Sequence, residues 1–435
     1  MKSIPTVLLA RLLHYTSNIK PNEIRSTLSS FMLAFILMAA YYILRPVRDA
    51  MASDWSDVEV SWLWTFTFVF SAVAVAIYGQ LISRIRFQRL VPSVYAFFSI
   101  SFVLFYFISL ESITRLELID LTLIDKAFYV WISLFSLFHI SVFWSLMSNI
   151  FSRSQAIRLF SFIGAGASVG AIVGPGIPVF LAGDIGTHNL LLVASALLVM
   201  TIPLSSWLQQ IKPLGSDNTS KLIKEKEGEF IGGNPFSGFS EFFKSPYLLA
   251  IGLFILLYTS ISSFVYFELK NLLAEYDRDT RSQIWAGMDL VVNTLTIAIA
   301  AFATGRIAKR FGLSFTLASV PLLIGAGLLL LAFAPLVGIV IAIQIIRRAG
   351  NYAITRPARE MLFTAVNRDT RFKVKPVIDI VIYRGGDMLN AWAFTALTQG
   401  LGLGLGMVAV IGAGIAILWA SIGIYLGKIF QDNNA

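Results

Sequence analysis

The chain has 435 residues, of which 57% are hydrophobic and 14% charged, with a mean hydropathy of +0.75. Ordinary soluble domains carry roughly 25% charged residues, so a water-soluble enzyme or binding domain is excluded, and the composition is that of an all-α integral membrane protein. The formal net charge of +9 comes from basic residues scattered between apolar runs, which argues against a nucleic-acid surface; with no cysteine and only His14, His139 and His188, no disulfide, metal site or cofactor is expected.

Residues 1–27 read as a cytoplasmic N-terminal segment. Its stretch Thr6 to Leu13 contains Arg11 and lacks a small-residue cleavage site, so a surface-lying helix is expected rather than a cleaved leader. Twelve apolar runs follow, near 28–51, 61–82, 90–110, 127–150, 158–182, 189–210, 246–271, 282–304, 314–333, 336–355, 375–400 and 405–427. Each approaches the length needed to cross a bilayer as a helix. The loops between them alternate. Lys20 and Arg25, then Arg84, Arg86 and Arg89, then Arg306, Lys309 and Arg310, then Arg368, Arg371 and Lys373 mark the cytoplasmic side, while Asp54, Asp57 and Glu59, and later Glu275, Asp277 and Asp279, mark the outside. Both termini are therefore expected in the cytoplasm, and the membrane is expected to be a bacterial inner membrane. The polar stretch 212–245 reads as a linker between two six-helix bundles, 28–211 and 246–428, with a short tail at 429–435.

Charge inside an apolar span is costly unless it is paired or faces a watery cavity, so its default reading is functional. The first span ends in Tyr41-Tyr42-Ile43-Leu44-Arg45-Pro46-Val47-Arg48-Asp49. The alternative is that its arginines merely snorkel to the interface; Arg45 and Asp49 are one helical turn apart and suited to pair. The fifth span holds Gly170-Ala171-Ile172-Val173-Gly174-Pro175-Gly176, either a functional kink or a surface for close helix packing. Glu268 and Asp289 lie toward the outer ends of their spans, where interfacial charge is the simpler explanation. Arg347 and Arg348 fall roughly 16 Å into the tenth span, near the midplane. Neighbouring residues diverge by about 100° around a helix, so one of the two is expected to line a cavity and the other to need a partner.

The eleventh span opens Lys373-Val374-Lys375-Pro376-Val377-Ile378-Asp379 and continues Tyr383-Arg384-Gly385-Gly386-Asp387. At α-helical spacing Asp379, Tyr383 and Asp387 share a stripe with Arg384 beside it. Gly385 and Gly386 permit a close helix approach or a break; an internal Arg384 to Asp387 pair that only holds the bundle together is the alternative. Across these spans Arg45, Arg48, one of Arg347 and Arg348, Lys375 and Arg384 outnumber Asp49, Asp379 and Asp387. The excess implies an anionic small-molecule substrate, for which the planar guanidinium fork is suited to phosphate or carboxylate, with Tyr41, Tyr42 and Tyr383 supplying hydroxyls or stacking faces. Beyond this substrate and the lipid bilayer no partner is called for, and a monomer is expected.

The two halves echo one another: Gly79-Gln80-Leu81-Ile82-Ser83-Arg84 follows the second span and Gly305-Arg306-Ile307-Ala308-Lys309-Arg310 the eighth. Two parallel six-span repeats with this loop resemble the major facilitator superfamily, whose loop reads Gly-x-Leu-x-Asp-Arg. Ser83 and Lys309 stand where the aspartate belongs, which removes the charge relay implied for that loop.

A narrower resemblance is to the ATP/ADP translocases of intracellular bacteria and plastids. The run Ile43 to Asp49 is similar to their Ile-Leu-Arg-Asp-Thr-Lys-Asp, Arg356-Pro357-Ala358-Arg359-Glu360-Met361 to Asp-Pro-Thr-Lys-Glu-Met, and Lys373-x-Lys375-x-x-Ile378-Asp379 to Lys-x-Lys-x-x-Ile-Asp. The resemblance covers about a tenth of the chain. It implies that Arg48 and Lys375 hold nucleotide phosphates, supported by Arg45, Arg356 and Arg359, with arginine for lysine at two positions altering the donor geometry.

No phosphate-binding loop, zinc-protease motif or nucleophile elbow is present, so neither an enzyme nor an ATP-driven pump is expected. The leading expectation is a secondary transporter that exchanges an anion, in the manner of ATP/ADP antiport, by alternating access. The alternatives are proton-coupled movement of another organic anion, with Asp49, Glu268, Asp289, Asp379 or Asp387 carrying the proton, and a non-transporting membrane sensor or scaffold.

Overall fold

An apolar run in hydrocarbon has no water to satisfy its backbone N–H and C=O groups, so it closes its hydrogen bonds internally as a helix. The computed structural model describes residues 19–84, 87–109, 120–211, 237–302, 304–367, 370, 374–375 and 377–432, and among them no strand occurs. The helices are α1 (Ile24–Met51), α2 (Asp57–Arg84), α3 (Phe87–Ile108), α4 (Leu121–Ile150), α5 (Arg153–Ile185), α6 (Leu190–Gln210), α7 (Ser237–Lys244), α8 (Pro246–Leu272), α9 (Arg278–Phe302), α10 (Thr304–Phe333), α11 (Val337–Gly350), α12 (Arg356–Leu362), α13 (Tyr383–Thr395) and α14 (Leu405–Asp432).

Among the described residues ten helical stretches are long and apolar enough to cross a bilayer, and the chain is a multi-pass all-α membrane protein. The expected second span is the continuous helix α2. The expected eleventh is interrupted, with π-helical turns at Val377–Ile382 and Ala396–Gly400 on either side of α13. The tenth continues beyond its expected end: α11 passes through a π-helical turn, Asn351–Thr355, into α12. Helix α10 is broken at Gly312, whose φ of 76° only glycine adopts readily, so its membrane portion begins where the ninth span was expected. The expected surface helix at 6–13, the linker portion 212–236 and residues 433–435 lie outside the described residues, as do the side chains of Ser83 and Lys309 in the repeated loops.

The described residues fall into two compact units, drawn from Met1–Asp49, Val69–Phe230 and Arg278–Leu290, and from Ala50–Phe68, Ile231–Asp277 and Val291–Ala435. Helices α2 and α9 therefore each contribute to both units.

In the first unit α1 is set by α5. Gly166, Gly170 and Gly174 form a stripe at four-residue spacing, and a Cβ on each would strike the carbonyl oxygen of Phe31, Phe35 and Ala39, respectively, on α1. The fifth-span glycines thus serve close packing of backbone on backbone. At the entrance of the same pair, Glu23 accepts from Arg158 at 2.8 Å and from Gln155 at 3.2 Å, next to a capping box formed by Ser152 and Gln155. Helices α3 and α4 meet through Phe98, Phe102, Phe128 and Phe135, whose rings pack edge to face or tilted.

The second unit is organised around α8, α10 and α14. Helix α14 presents small residues to its neighbours: a Cβ on Gly423 would meet Leu317 and Phe254, and one on Gly427 would collide with Ser314. Outward surfaces on both units are apolar, with Phe180 at 75% and Phe333 at 87% exposure, as lipid contact requires and water would penalise.

Candidate functional site

Arg45, Arg48, Asp49 and Asp289 of the first unit form one network. Arg48 donates through Nε and Nη2 to Asp49 Oδ1 at 2.9 and 2.6 Å and through Nη1 to Ser133 Oγ at 3.3 Å, with its guanidinium 5.3 Å from the Tyr129 ring. Arg45 lies 3.6 Å from Asp49 Oδ2 and 3.7 Å from Asp289 Oδ1, and 5.9 Å from the Tyr42 ring. Asp49 and Asp289 are 1% and 2% exposed. Asp289 is therefore not an interfacial charge as the sequence suggested; it is the second carboxylate of a group with two cations and two anions. Mere snorkelling is excluded for both arginines by these partners. Pro46 sits inside α1 between them and frees a carbonyl one turn earlier. Tyr41 stacks on His139 at 4.8 Å, and Tyr42 is buried beside it.

In the second unit both arginines of the tenth span are buried, Arg347 at 5% and Arg348 at 2% exposure. Arg347 donates through Nε and Nη2 to Gln344 Oε1 at 3.0 and 2.8 Å, and through Nη1 to Ser262 Oγ at 2.8 Å and Tyr258 OH at 3.3 Å. Every acceptor is neutral, and among the described residues no carboxylate lies within the 4 Å of an ion pair. Tyr258 in turn packs against Tyr383, with ring centroids 6.0 Å apart. Asp387 feels the charges of Arg384 and Arg347, yet forms an ion pair with neither. The internal Arg384 to Asp387 clasp foreseen as an alternative is thus absent among the described contacts. Two half-buried or buried cations face one carboxylate, before Arg348 is counted.

Helix α13 reaches this place because Gly386 has no side chain: a Cβ there would lie 2.6 Å from Thr259 Oγ1 on α8. Asn390, one turn on, donates to Thr259 Oγ1 at 3.1 Å and to the Gly386 carbonyl at 2.7 Å, and accepts from Ser260 at 2.8 Å. Gly385 has open space around it.

The expected stripe of Asp379, Tyr383 and Asp387 is not kept intact. Tyr383 and Asp387 lie one α-helical turn apart on α13, but Asp379 falls in a π-helical turn, whose wider winding shifts its angular position; the Asp379 side chain is outside the described atoms. Lys375 also lies apart. Its Nζ contacts Glu360 Oε2 at 2.6 Å, and Arg359 contacts the other oxygen of that carboxylate at 3.0 Å, so Glu360 bridges the two cations. Lys375 is 40% exposed, and Arg356 is exposed on α12. This cluster joins the two motifs that resemble the translocases into one acidic-basic knot, rather than placing Lys375 beside Arg347.

Sequence reasoning missed Tyr258, Ser262, Gln344 and Asn390, and did not foresee that Asp289 pairs with Arg45. Tyr258 and Ser262 stand one turn apart on an apolar span, and Gln344 stands one turn before Arg347, so polar residues at helical spacing carried the signal.

The sequence profile described as Major Facilitator Superfamily matches residues 30–363. The ADP,ATP carrier protein 1 of Chlamydia pneumoniae is 22% identical over 485 aligned residues, which cover 96% of this chain and 93% of that protein. Among solved structures, an inward-facing, unoccupied bacterial homolog of the human lysosomal transporter Spinster aligns with a TM-score of 0.62 at 13% identity, covering 95% of this chain and 99% of that one. The nucleoside transporter NupG aligns with a TM-score of 0.64 at 12% identity over 92% of this chain and 99% of its own.

Proposed function

This chain belongs to the Major Facilitator Superfamily and is a secondary transporter rather than an enzyme, and we propose that its cargo is an organic phosphate of the nucleotide class, exchanged across a bacterial inner membrane with both termini in the cytoplasm. The observation that carries the proposal is Arg347. A guanidinium in a membrane span is expensive, and one hydrogen-bonded only to the neutral oxygens of Gln344, Ser262 and Tyr258, and sharing the nearby carboxylate of Asp387 with Arg384, leaves positive charge in excess. An anion arriving with the cargo supplies the missing counter-charge.

The first unit supports the reading differently. Arg45 and Arg48 are already neutralised by Asp49 and Asp289, so an anion there must displace a carboxylate, which makes that network a switch rather than a permanent receptor. The tyrosines at Tyr258 and Tyr383 offer aromatic faces next to Arg347, which suits a nucleobase or sugar attached to the phosphate. The similarity to a chlamydial ADP,ATP carrier favours nucleotides within this class. The scaffold alternative is disfavoured because a protein that moves nothing gains nothing from an excess of buried cations.

The test is a ligand screen by thermal shift on detergent-purified protein, comparing ATP, ADP, AMP, adenosine, inorganic phosphate and citrate. A ligand at a hundred times its Kd raises stability by roughly 2.7 kcal/mol. Nucleoside phosphates should raise the transition and adenosine should not. Stabilisation by citrate alone would move the cargo to carboxylates.

A further inference from the structure

Glu268 lies one turn before the end of α8 and is 1% exposed, and neither of its carboxyl oxygens has a hydrogen-bond partner. Its surroundings are built around a different carboxylate. Asp57, at the start of α2, pairs with Lys270 Nζ at 3.0 Å and accepts from Thr398 Oγ1 at 3.0 Å; Lys270 also donates to the Trp55 carbonyl at 2.6 Å and is itself 1% exposed. Lys270 and Asp57 cancel one another, so an ionised Glu268 would be a third, uncompensated charge with no donor. An isolated carboxylate in such a place neutralises instead of remaining charged.

We infer that Glu268 is a proton-binding site of the transport cycle, loaded together with the anion at Arg347. The inference rests on the transporter reading above and adds a coupling ion to it. The other charges around α8 divide by depth. At the same end stand Asp54, Glu59 and Glu275, all acidic, beside the Asp57 and Lys270 pair. Deeper, on α11 and α13, stand Arg347, Arg348, Arg384 and Asp387. Glu241 and Lys244 stand on α7, whose Phe242 packs at Gly252 near the opposite end of α8.

The link to cargo is the helix itself. Arg347 is fastened to Ser262, six residues and roughly 9 Å along α8 from Glu268. A negative charge bound at Arg347 favours the protonated form of Glu268 by on the order of tenfold for each unit of charge, and by reciprocity the proton favours the anion equally. Release reverses this: when water reaches the end of α8, the carboxyl gives its proton to water and becomes a hydrated carboxylate. No bond other than the O–H is broken, and no electron is transferred.

Infrared spectroscopy of the purified full chain tests the site without any transport. At pH 7 the wild type should show a carbonyl stretch of a protonated carboxyl that shifts in deuterium oxide and is missing in Glu268→Gln; Asp57→Asn, which removes the neighbouring negative charge and leaves Lys270 uncompensated, should weaken the same band while leaving Glu268 in place. An unchanged band in Glu268→Gln overturns the proposal. In proteoliposomes, labelled ATP should accumulate against its gradient when the donor side is acidified, and Glu268→Gln should lose that accumulation more than tenfold while keeping equal-pH ATP exchange within threefold of wild type. Normal acid-driven accumulation by the variant overturns the coupling. If the wild type moves no ATP in either mode, the nucleotide cargo fails, and the infrared result still decides Glu268.

Discussion

Replacing Arg347 with methionine separates a binding cation from a structural one. The guanidinium makes four hydrogen bonds to neutral oxygens, two to Gln344 and one each to Ser262 and Tyr258. Hydrogen bonds to charged groups contribute about 1.5–3 kcal/mol each, while burying the ion costs several kcal/mol even after relaxation. In the ligand-free protein the two oppose one another, so Arg347→Met should lower the unfolding free energy by at most about 3 kcal/mol, and methionine refills most of the volume. The bound anion is different. Truncating one partner of a desolvated charge pair costs about 2–5 kcal/mol, which is a loss of affinity of roughly 30-fold to 4,000-fold at 1.4 kcal/mol per tenfold. Calorimetry of ATP binding, read beside thermal unfolding of the ligand-free protein, measures both. Unchanged affinity with lost stability would refute the reasoning, because Arg347 would then be a structural brace for α8 and α11. Arg347→Lys should fall between, since an ammonium keeps the charge and loses the planar fork.

Other expectations follow from the remaining geometry. Asp289→Ala removes one of the carboxylates beside Arg45 and should destabilise the protein by about 1–3 kcal/mol, whereas the double variant Arg45→Met with Asp289→Leu should recover most of that loss in thermal unfolding; equal loss in both would show that the pair is not the cause. Gly170→Val places a branched side chain against the Phe35 carbonyl and should abolish correctly inserted protein in a membrane-fraction assay, while Gly164→Ala, with nothing within 4 Å, should be neutral or stabilising by about 0.5–1 kcal/mol. For Glu23, burial opposes ionisation, but the hydrogen bonds from Arg158, Lys20 and Gln155 outweigh it and hold the carboxyl below its ordinary 4.5. Its contribution is therefore full above that value and is lost as pH falls through the lowered one, so wild type should be more stable than Glu23→Gln at neutral pH and the two stability curves should converge under acid. Parallel curves down to acid unfolding would contradict the assignment.

The helices were legible because hydrocarbon leaves the backbone no alternative, and the pairing of Arg45 with Asp49 was legible because helical geometry puts them one turn apart. Asp289 was not. Its partner Arg45 is 244 positions away, and span length alone places the residue near an end without saying which helix it faces. The π-helical turns in the eleventh span also escape an apolar pattern that reads equally well at α-helical spacing, and with them went the shared stripe of Asp379, Tyr383 and Asp387. Lys375 shows a different limit. The likeness of its motif to the translocases assigns it phosphate, while its nearest partner is Glu360, a residue from the neighbouring motif that similarity by itself does not pair with it. Tyr258, Ser262 and Gln344 were missed although they stand at helical spacing in apolar spans, because hydroxyls and amides cost little there and carry a weaker signal than arginine.

Counterflow in proteoliposomes tests the central claim most directly. Vesicles preloaded with unlabelled ATP and containing the wild-type chain should take up labelled ATP or ADP from outside, empty vesicles should not, and Arg347→Met should reduce the initial rate at least 30-fold at substrate concentrations below saturation. Uptake equal to empty vesicles for every nucleoside phosphate, by protein that is folded and inserted, would contradict the account.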